Sequence, residues 1–315
     1  MSTNHRRIIL DCDPGRDDAL AIAMALASSA EIEIAGITTV AGNVPLEVTH
    51  RNARFLCELC GFPETPVHAG AARPVVGAPV TATRHHGESG LEGVEVTTPV
   101  APVESHGAVE FMADTLQAGA NGEITIVAVG PLTNVALLAL EHPGLVAKVR
   151  EIVVMGGASQ AGGNVTPAAE FNVYADPHAA GIVLDCGRPI TIHGLDVTHQ
   201  VLATPAHVER LADAGGEVAR RLAPLLRPAQ GSRGERFGPD RSPIHDPCTI
   251  AWLLRPELFR TEEVPVACET DGTYTHGATV VDWWGVTGEE PNARWVTEAD
   301  GEAVLDLLIE RIARL

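Results

Sequence analysis

One segment constrains this chain more than any other: Ile8-Ile9-Leu10-Asp11-Cys12-Asp13-Pro14-Gly15-Arg16-Asp17-Asp18, an apolar run that stops in four carboxylates. Crowded like charges cost stability unless a positive group sits among them. A divalent cation with oxygen ligands is the simplest remedy. Asp17 and Asp18 can be read as complementing the start of a helix, an effect of roughly 0.3–1 kcal/mol. Asp11 and Asp13 cannot, because they precede Pro14-Gly15 at a strand end, where two-residue alternation sets them on one side of the backbone. Taken together, the four acids predict a metal-centred site at the mouth of an α/β sheet.

The rest of the chain supports that architecture. Short β-branched runs at 7–10, 32–39, 124–129, 151–155, 189–193 and 264–269 alternate with helical patterns at 17–28, 46–60, 108–118, 132–141 and 177–186. Continuous apolar strands alternating with helices predict an open, mostly parallel sheet covered by helices on both faces. No internal repeat or Ser/Gly linker divides the chain, so residues 1–315 are expected to form a single domain. Two stretches, 70–105 and 215–244, are rich in Gly and Pro and break the rhythm. They are expected to hold mobile loops, near 78–93 and over 215–244, that act as lids.

Composition excludes several classes. The formal net charge of −19 argues against nucleic acid or an anionic membrane surface as partner. Lys148 is the single lysine, which leaves none for a Schiff base or a phosphate loop. There is no apolar run of membrane-spanning length, nor the apolar core of a signal peptide near the start. The six cysteines are scattered; Cys57 and Cys60 have redox spacing but lie late in a helical pattern, and read as buried thiols. A reduced, cytoplasmic setting is expected.

In open α/β sheets, ligands bind at the carboxyl ends of the strands. The polar residues of this chain collect there: Asn43 after the second strand, Thr133-Asn134 after the third, and Asn164, Glu170 and Asn172 in the glycine-rich loop after the fourth. Two amides and a carboxylate within nine residues suit a polyhydroxylated ligand, although they can also brace a loop. His245-Asp246-Pro247 reads alone as a helix start. His193 and His199 read as structural histidines, and His85-His86 lacks the partners a zinc site needs. The dinucleotide fingerprint is absent, its place taken by acids.

These motifs resemble, in order and register, those of the inosine–uridine-preferring nucleoside hydrolases. Residues 11–18 match the family's DxDPGxDD signature, and the likeness continues through 37–43, 86–90, 130–134, 155–157, 169–177, 194–198 and 245–248. The resemblance implies a Rossmann-like fold and a calcium ion held by Asp13, Asp18, Asp246 and the backbone carbonyl of Val129. It further implies that Asp17, Asn43, Asn164, Glu170 and Asn172 hold the ribose hydroxyls, and that Met155 and Phe171 line the sugar pocket. Asp11 would support the metal ligands from behind, and His86 would approach the base. The substrate would be a small-molecule ribonucleoside and the assembly a homo-oligomer, dimer or tetramer.

The chemistry follows. Three carboxylates, a carbonyl, water and sugar hydroxyls make a plausible calcium shell. A cation eases deprotonation of a water, Asp13 takes the proton, and the water attacks the anomeric carbon through an oxocarbenium-like transition state. His245 then protonates the departing base. The chain departs from related members in lacking tyrosines over 215–244, where arginines and Phe237 stand instead. Trp283 and Trp284 are candidates for stacking on a base, whereas Trp252 is expected in the core. Two rivals are weighed: a nucleoside- or ribose-binding protein without turnover, and a haloacid-dehalogenase-like phosphatase with Asp11 as nucleophile.

Overall fold

The computed structural model describes residues 5–101, 103–228, 236–238 and 240–315. Its centre is an eight-stranded sheet of β1 (Arg6–Cys12), β2 (Ile32–Thr39), β3 (Val67–Ala69), β4 (Ile124–Ala128), β5 (Glu151–Met155), β6 (Ile190–His193), β7 (Phe259–Val264) and β8 (Ala293–Ala299). The spatial order is β3-β2-β1-β4-β5-β6-β8-β7. Every pairing is parallel except that of β8 with the edge strand β7.

The apolar runs read from sequence are buried on both faces. Along β1, Ile8 and Leu10 enter one core with Leu20 and Met24 of α1 (Arg16–Leu26). Ile9 enters the opposite core with Met112 and Leu116 of α3 (Ala108–Ala118). The helix α2 (Leu46–Leu59) joins the first layer, while α4 (Thr133–Glu141) and α6 (Pro177–Leu184) join the second. All eight apolar side chains among Ile8, Ile9, Leu10, Leu20, Met24, Ile37, Ile126 and Val127 are wholly excluded from solvent. Burial of that kind is worth roughly 1.5–3 kcal/mol for each large side chain.

The topology fixes where a ligand can sit. From β1 the chain passes to β2 on one side and later returns as β4 on the other. A crevice opens at the carboxyl ends where the direction of winding switches. Both Asp13 and Val129 lie there, one step beyond β1 and β4.

Three sequence expectations are corrected. The strand expected over 264–269 is two: β7 ends at Val264, and Val266–Cys268 pairs with Thr279–Val281 in a separate antiparallel ribbon. Pro265 between them has no N–H to continue the first ladder. The stretch 215–244, expected as irregular, begins with a helix at Glu217–Leu222 and a 3-10 turn at Ala223–Leu226; part of this expected lid, 229–235 and 239, lies outside the described residues. The other expected lid contains a helical turn, Thr83–His86. Among the described residues, no helix is long and apolar enough to cross a membrane. Cys57 and Cys60 are buried, and burial pushes the Cys57 thiol up to about 12 and the Cys60 thiol higher still.

Candidate active site

The tightest group of acids contains Asp17, expected at the ribose, in place of Asp13. Oxygens of Asp17, Asp18 and Asp246 all lie within 4.8 Å of one another. Asp18 and Asp246 are buried and Asp17 is half-buried. Asp18 and Asp17 open α1, and Asp246 precedes α8 (Pro247–Leu254), whose Pro247 supplies the first-turn position. Local hydrogen bonds hold Asp18 in place: its Oδ1 accepts from the Asp13 N–H at 3.0 Å, and its Oδ2 from the Gly15 N–H at 2.9 Å.

Asp13 stands beside this trio, completely buried. Its Oδ2 accepts from the Asn43 N–H at 2.6 Å, and its Oδ1 has no hydrogen-bond partner. Glycines make the room. A Cβ at Gly42 or at Gly130 would run into this carboxylate, so the two sequence motifs 37–43 and 130–134 each place a glycine where only hydrogen fits. The Asn43 amide joins the set by donating to Asp18 Oδ2 at 3.1 Å and to the Asp13 carbonyl at 3.2 Å.

The electrostatics are those of negative charge gathered without compensation. Burial, then repulsion from Asp18, pushes the Asp13 carboxyl well above its ordinary value. Burial and Asp17 act on Asp246 in the same direction. Asp18 is raised by burial and Asp17 to about 6. An orphaned buried oxygen next to three converging carboxylates is a donor set of hard oxygens, which suits a divalent cation. The expected carbonyl ligand, Val129, is buried at the same rim, and its oxygen accepts from Asn172 Nδ2 at 2.8 Å.

Asp11 lies behind them. Its Oδ1 accepts from Thr38 Oγ1 at 2.6 Å and from Asn134 Nδ2 at 2.7 Å, which ties β1 to β2 and to α4. Burial raises it to about 7. Held this way, Asp11 braces the strand ends, a supporting role rather than that of a phosphatase nucleophile.

A second group of polar residues faces the acids from the loop after β5. Glu170 caps α5 (Phe171–Ala175), accepting from the N–H groups of Asn172 at 3.0 Å, Val173 at 3.3 Å and Gly157 at 2.9 Å. Burial pushes its carboxyl up to about 7. Gly157, at φ +82°, takes a left-handed conformation that favours glycine and turns its N–H toward that carboxylate. Asn172 also donates to the Met155 carbonyl at 3.1 Å. Asn164 is exposed, and its Oδ1 accepts from the N–H of the half-buried Phe171 at 3.0 Å. Thus Asn164 reaches this group through the main chain of its neighbour.

Histidines border the remaining side. His86 Nδ1 accepts from the Arg16 N–H at 3.1 Å, and burial lowers the ring to about 4. His245 Nδ1 pairs with Thr198 Oγ1 at 2.8 Å, and burial lowers it as well. Thr198 is a partner that sequence reasoning missed, although the motif 194–198 had been singled out. His199, expected as structural, packs at 5.9 Å from the His245 ring and 4.7 Å from Phe237. Burial, followed by the charges of His245 and Arg236, lowers it to about 3. Of the two candidate tryptophans, the Trp283 indole N–H donates to Ser159 Oγ at 2.8 Å, and Trp284 is 89% exposed. Trp252 packs against the core, edge-on to His193.

Comparison with known proteins identifies the family. A family profile described as inosine-uridine preferring nucleoside hydrolase matches residues 8–306. The pyrimidine-specific ribonucleoside hydrolase RihA of Salmonella paratyphi B is 47% identical over 306 residues, 97% of each chain. A solved plant nucleoside hydrolase, PpNRh1, superposes with a TM-score of 0.91 at 33% identity, covering 98% of this chain and 99% of its own. A purine-preferring ribonucleoside hydrolase from Gardnerella vaginalis gives 0.89 at 30% identity, covering 98% of each. The chain belongs to the inosine-uridine preferring nucleoside hydrolase family and is an N-glycosyl hydrolase.

Proposed function

We propose that the protein hydrolyses the N-glycosidic bond of ribonucleosides, pyrimidine ribonucleosides above all, with calcium as its resident cation. The observation that carries this reading is the meeting of Asp17, Asp18 and Asp246 oxygens beside the unpartnered Oδ1 of Asp13. Asp13, Asp18, Asp246 and the Val129 carbonyl would hold the ion. When bound, the ion supplies Lewis acidity that makes a water easier to deprotonate. The Asp13 carboxylate, with one oxygen committed to Asn43 and one free, accepts the proton.

Asp17, Asn43, Glu170 and Asn172 bind the ribose hydroxyls, with Asn164 fixing the turn that carries them and Met155 and Phe171 flanking the sugar. The negative rim favours the positive charge that develops on the ribose as the bond to the base lengthens. His245 gives the leaving base a proton from Nε2. This requires Nδ1 to be the accepting nitrogen toward the Thr198 hydroxyl, so that the ring proton resides on Nε2. His86, bound through Nδ1 to the Arg16 N–H, carries its proton on Nε2 in the same way and offers a neutral donor to the base.

Pyrimidine preference is supported by the specificity in the name of the 47% identical relative. The six free cysteines fit a reducing, cytoplasmic compartment, and a homo-oligomer is part of this reading. The decisive assay measures free ribose from uridine, cytidine, inosine and adenosine, with calcium and after chelation. Release from uridine and cytidine that chelation abolishes is expected. Asp13→Asn should lose at least about a hundredfold in turnover, the scale of a missing general base, while keeping its fold. Binding of uridine with no ribose released by the wild type would instead establish a binding protein.

A further inference from the structure

Arg16 lies inside the acidic motif, between Asp13 and Asp17, yet among the described residues every hydrogen bond its guanidinium makes goes to a main-chain carbonyl. Nη1 donates to Glu92 O at 3.3 Å. Nη2 is shared among Pro224 O at 3.3 Å, Leu225 O at 3.3 Å and Arg227 O at 2.7 Å. The first carbonyl belongs to the loop that follows His86. The other three belong to the turn Ala223–Leu226 and the residue after it. Its own N–H holds His86 Nδ1 at 3.1 Å.

We propose that Arg16 is a positioning residue that fastens these two segments to the acidic motif, so that the loop carrying His86 and the turn at 223–227 are set by one side chain. The proposal rests on the nucleoside hydrolase reading given above.

Three features favour this over a role as counter-ion. The charge is spent on neutral carbonyls, although Asp17 and Glu92 are near enough to raise the guanidinium's pKa against the lowering effect of its burial. A planar fork with five N–H groups is the side chain that can serve several carbonyls from different segments at once. Each segment has its own separate foothold: Asn52 Nδ2 binds Ser89 O at 2.8 Å, and Leu222, Ala223, Leu225 and Leu226 are buried in the core. Each segment therefore has support besides Arg16. What Arg16 adds is the position of the carbonyl edges nearest the site. Its main-chain bond to His86 also dictates the ring's tautomer, because a nitrogen that accepts from an N–H cannot carry the proton. Gly15 completes the arrangement, since a Cβ there would strike the same imidazole.

The test compares wild type with Arg16→Ala and Arg16→Lys, all loaded with calcium, by kinetics and by hydrogen exchange over 86–94 and 223–228. In Arg16→Ala both segments should gain exchange together. Its kcat/KM on uridine should fall at least about tenfold, as expected when reacting groups are misplaced by a fraction of an ångström to an ångström. Added methylguanidinium should restore part of the loss and leave wild type unchanged. Arg16→Lys keeps the charge but cannot reach four carbonyls, so it should remain impaired; if the alanine variant does not fold, the lysine variant carries both readouts.

Full activity in Arg16→Lys would mean that charge alone matters and would overturn the proposal. Unchanged kinetics, or increased exchange in one segment only, would overturn it equally. Failure of the wild type on every riboside would defeat the assigned activity instead, while the exchange arm would still test the fastening.

Discussion

At the scale of single residues, the site depends on side chains held by the wrong end for solvent and the right end for substrate. His245 is the clearest case. Its Nδ1 faces Thr198 Oγ1 at 2.8 Å, which leaves Nε2 for the departing base. Thr198 is buried without exposed surface, so no water replaces it. Thr198→Val keeps the shape of the side chain and removes the hydroxyl, so the imidazole loses the partner that fixes its tautomer. We expect kcat on uridine to fall by about a hundredfold, the low end of the range for acid–base groups. An aryl riboside whose leaving group needs no proton should lose far less. Equal losses on both substrates would show that Thr198 acts on something other than leaving-group protonation. Legibility at this scale was uneven for a physical reason. Asp11, Asp13, Asp17 and Asp18 stood out because like charges are not crowded without cause, whereas Asp246 alone read as a helix start and was implicated only by the family resemblance. Thr198 and His199 did not stand out, since a hydroxyl and an imidazole have plausible uses anywhere in a core.

At the scale of elements, β1, β2, β4, β5 and β6 were readable because burial on both faces demands continuous apolar runs, as in Ile8-Ile9-Leu10 and Ile152-Val153-Val154, whereas the three-residue β3 offers no such run. The strand β8 was not readable either. Its sequence Ala-Arg-Trp-Val-Thr-Glu-Ala is buried only in part, and its pairing with β6 and β7 is decided by tertiary contacts. The helix α7 (Pro205–Ala214) carried signals that went unread: Pro205 at its first turn, and Thr204 with His207 in a reciprocal cap. The loop between β5 and α5 is another matter, because what shapes it lies far away in sequence. Asp196 accepts from the Ser159 N–H at 2.8 Å and the Ala161 N–H at 3.0 Å. Thr279 binds both the N–H and the carbonyl of Ala158, at 2.8 and 2.6 Å. This loop leads to Asn164 and Glu170. Asp196→Ala leaves two main-chain donors without partners, a cost of about 1–3 kcal/mol for each such group that stays buried. The expected result is a lower melting temperature together with a severalfold higher KM for uridine and a smaller change in kcat. A lowered melting temperature with KM unchanged would show that the loop's position does not govern ribose binding.

At the scale of the whole molecule, two sets of buried titratable groups oppose each other as pH changes. Asp11 and Glu170 are raised by burial to about 7, so each keeps a proton in the folded state that the unfolded chain has released; their contribution is lost as pH rises through that value. His193 has the opposite sign. It ends β6 with no exposed surface, lies edge-on to Trp252 at 6.0 Å and Phe259 at 5.6 Å, and neither ring nitrogen has a hydrogen-bond partner. Burial lowers it from 6.5 to about 3. Below pH 6.5 the unfolded chain therefore takes up a proton that the folded one refuses, and stability drains away as the pH falls toward 3. By pH 5 the loss from this one ring amounts to about 2 kcal/mol relative to pH 8. His193→Leu removes the titration, and because both ring nitrogens are already without partners the substitution sacrifices no hydrogen bond. Urea unfolding of wild type and variant at pH 8 and pH 5, with calcium present throughout, isolates the term, since the carboxylates contribute equally to both proteins. The variant should gain about 2 kcal/mol on the wild type between those two conditions. A difference between the proteins that stays the same at pH 8 and pH 5 would mean that His193 is not held neutral in the core, and that acid sensitivity arises at the rim.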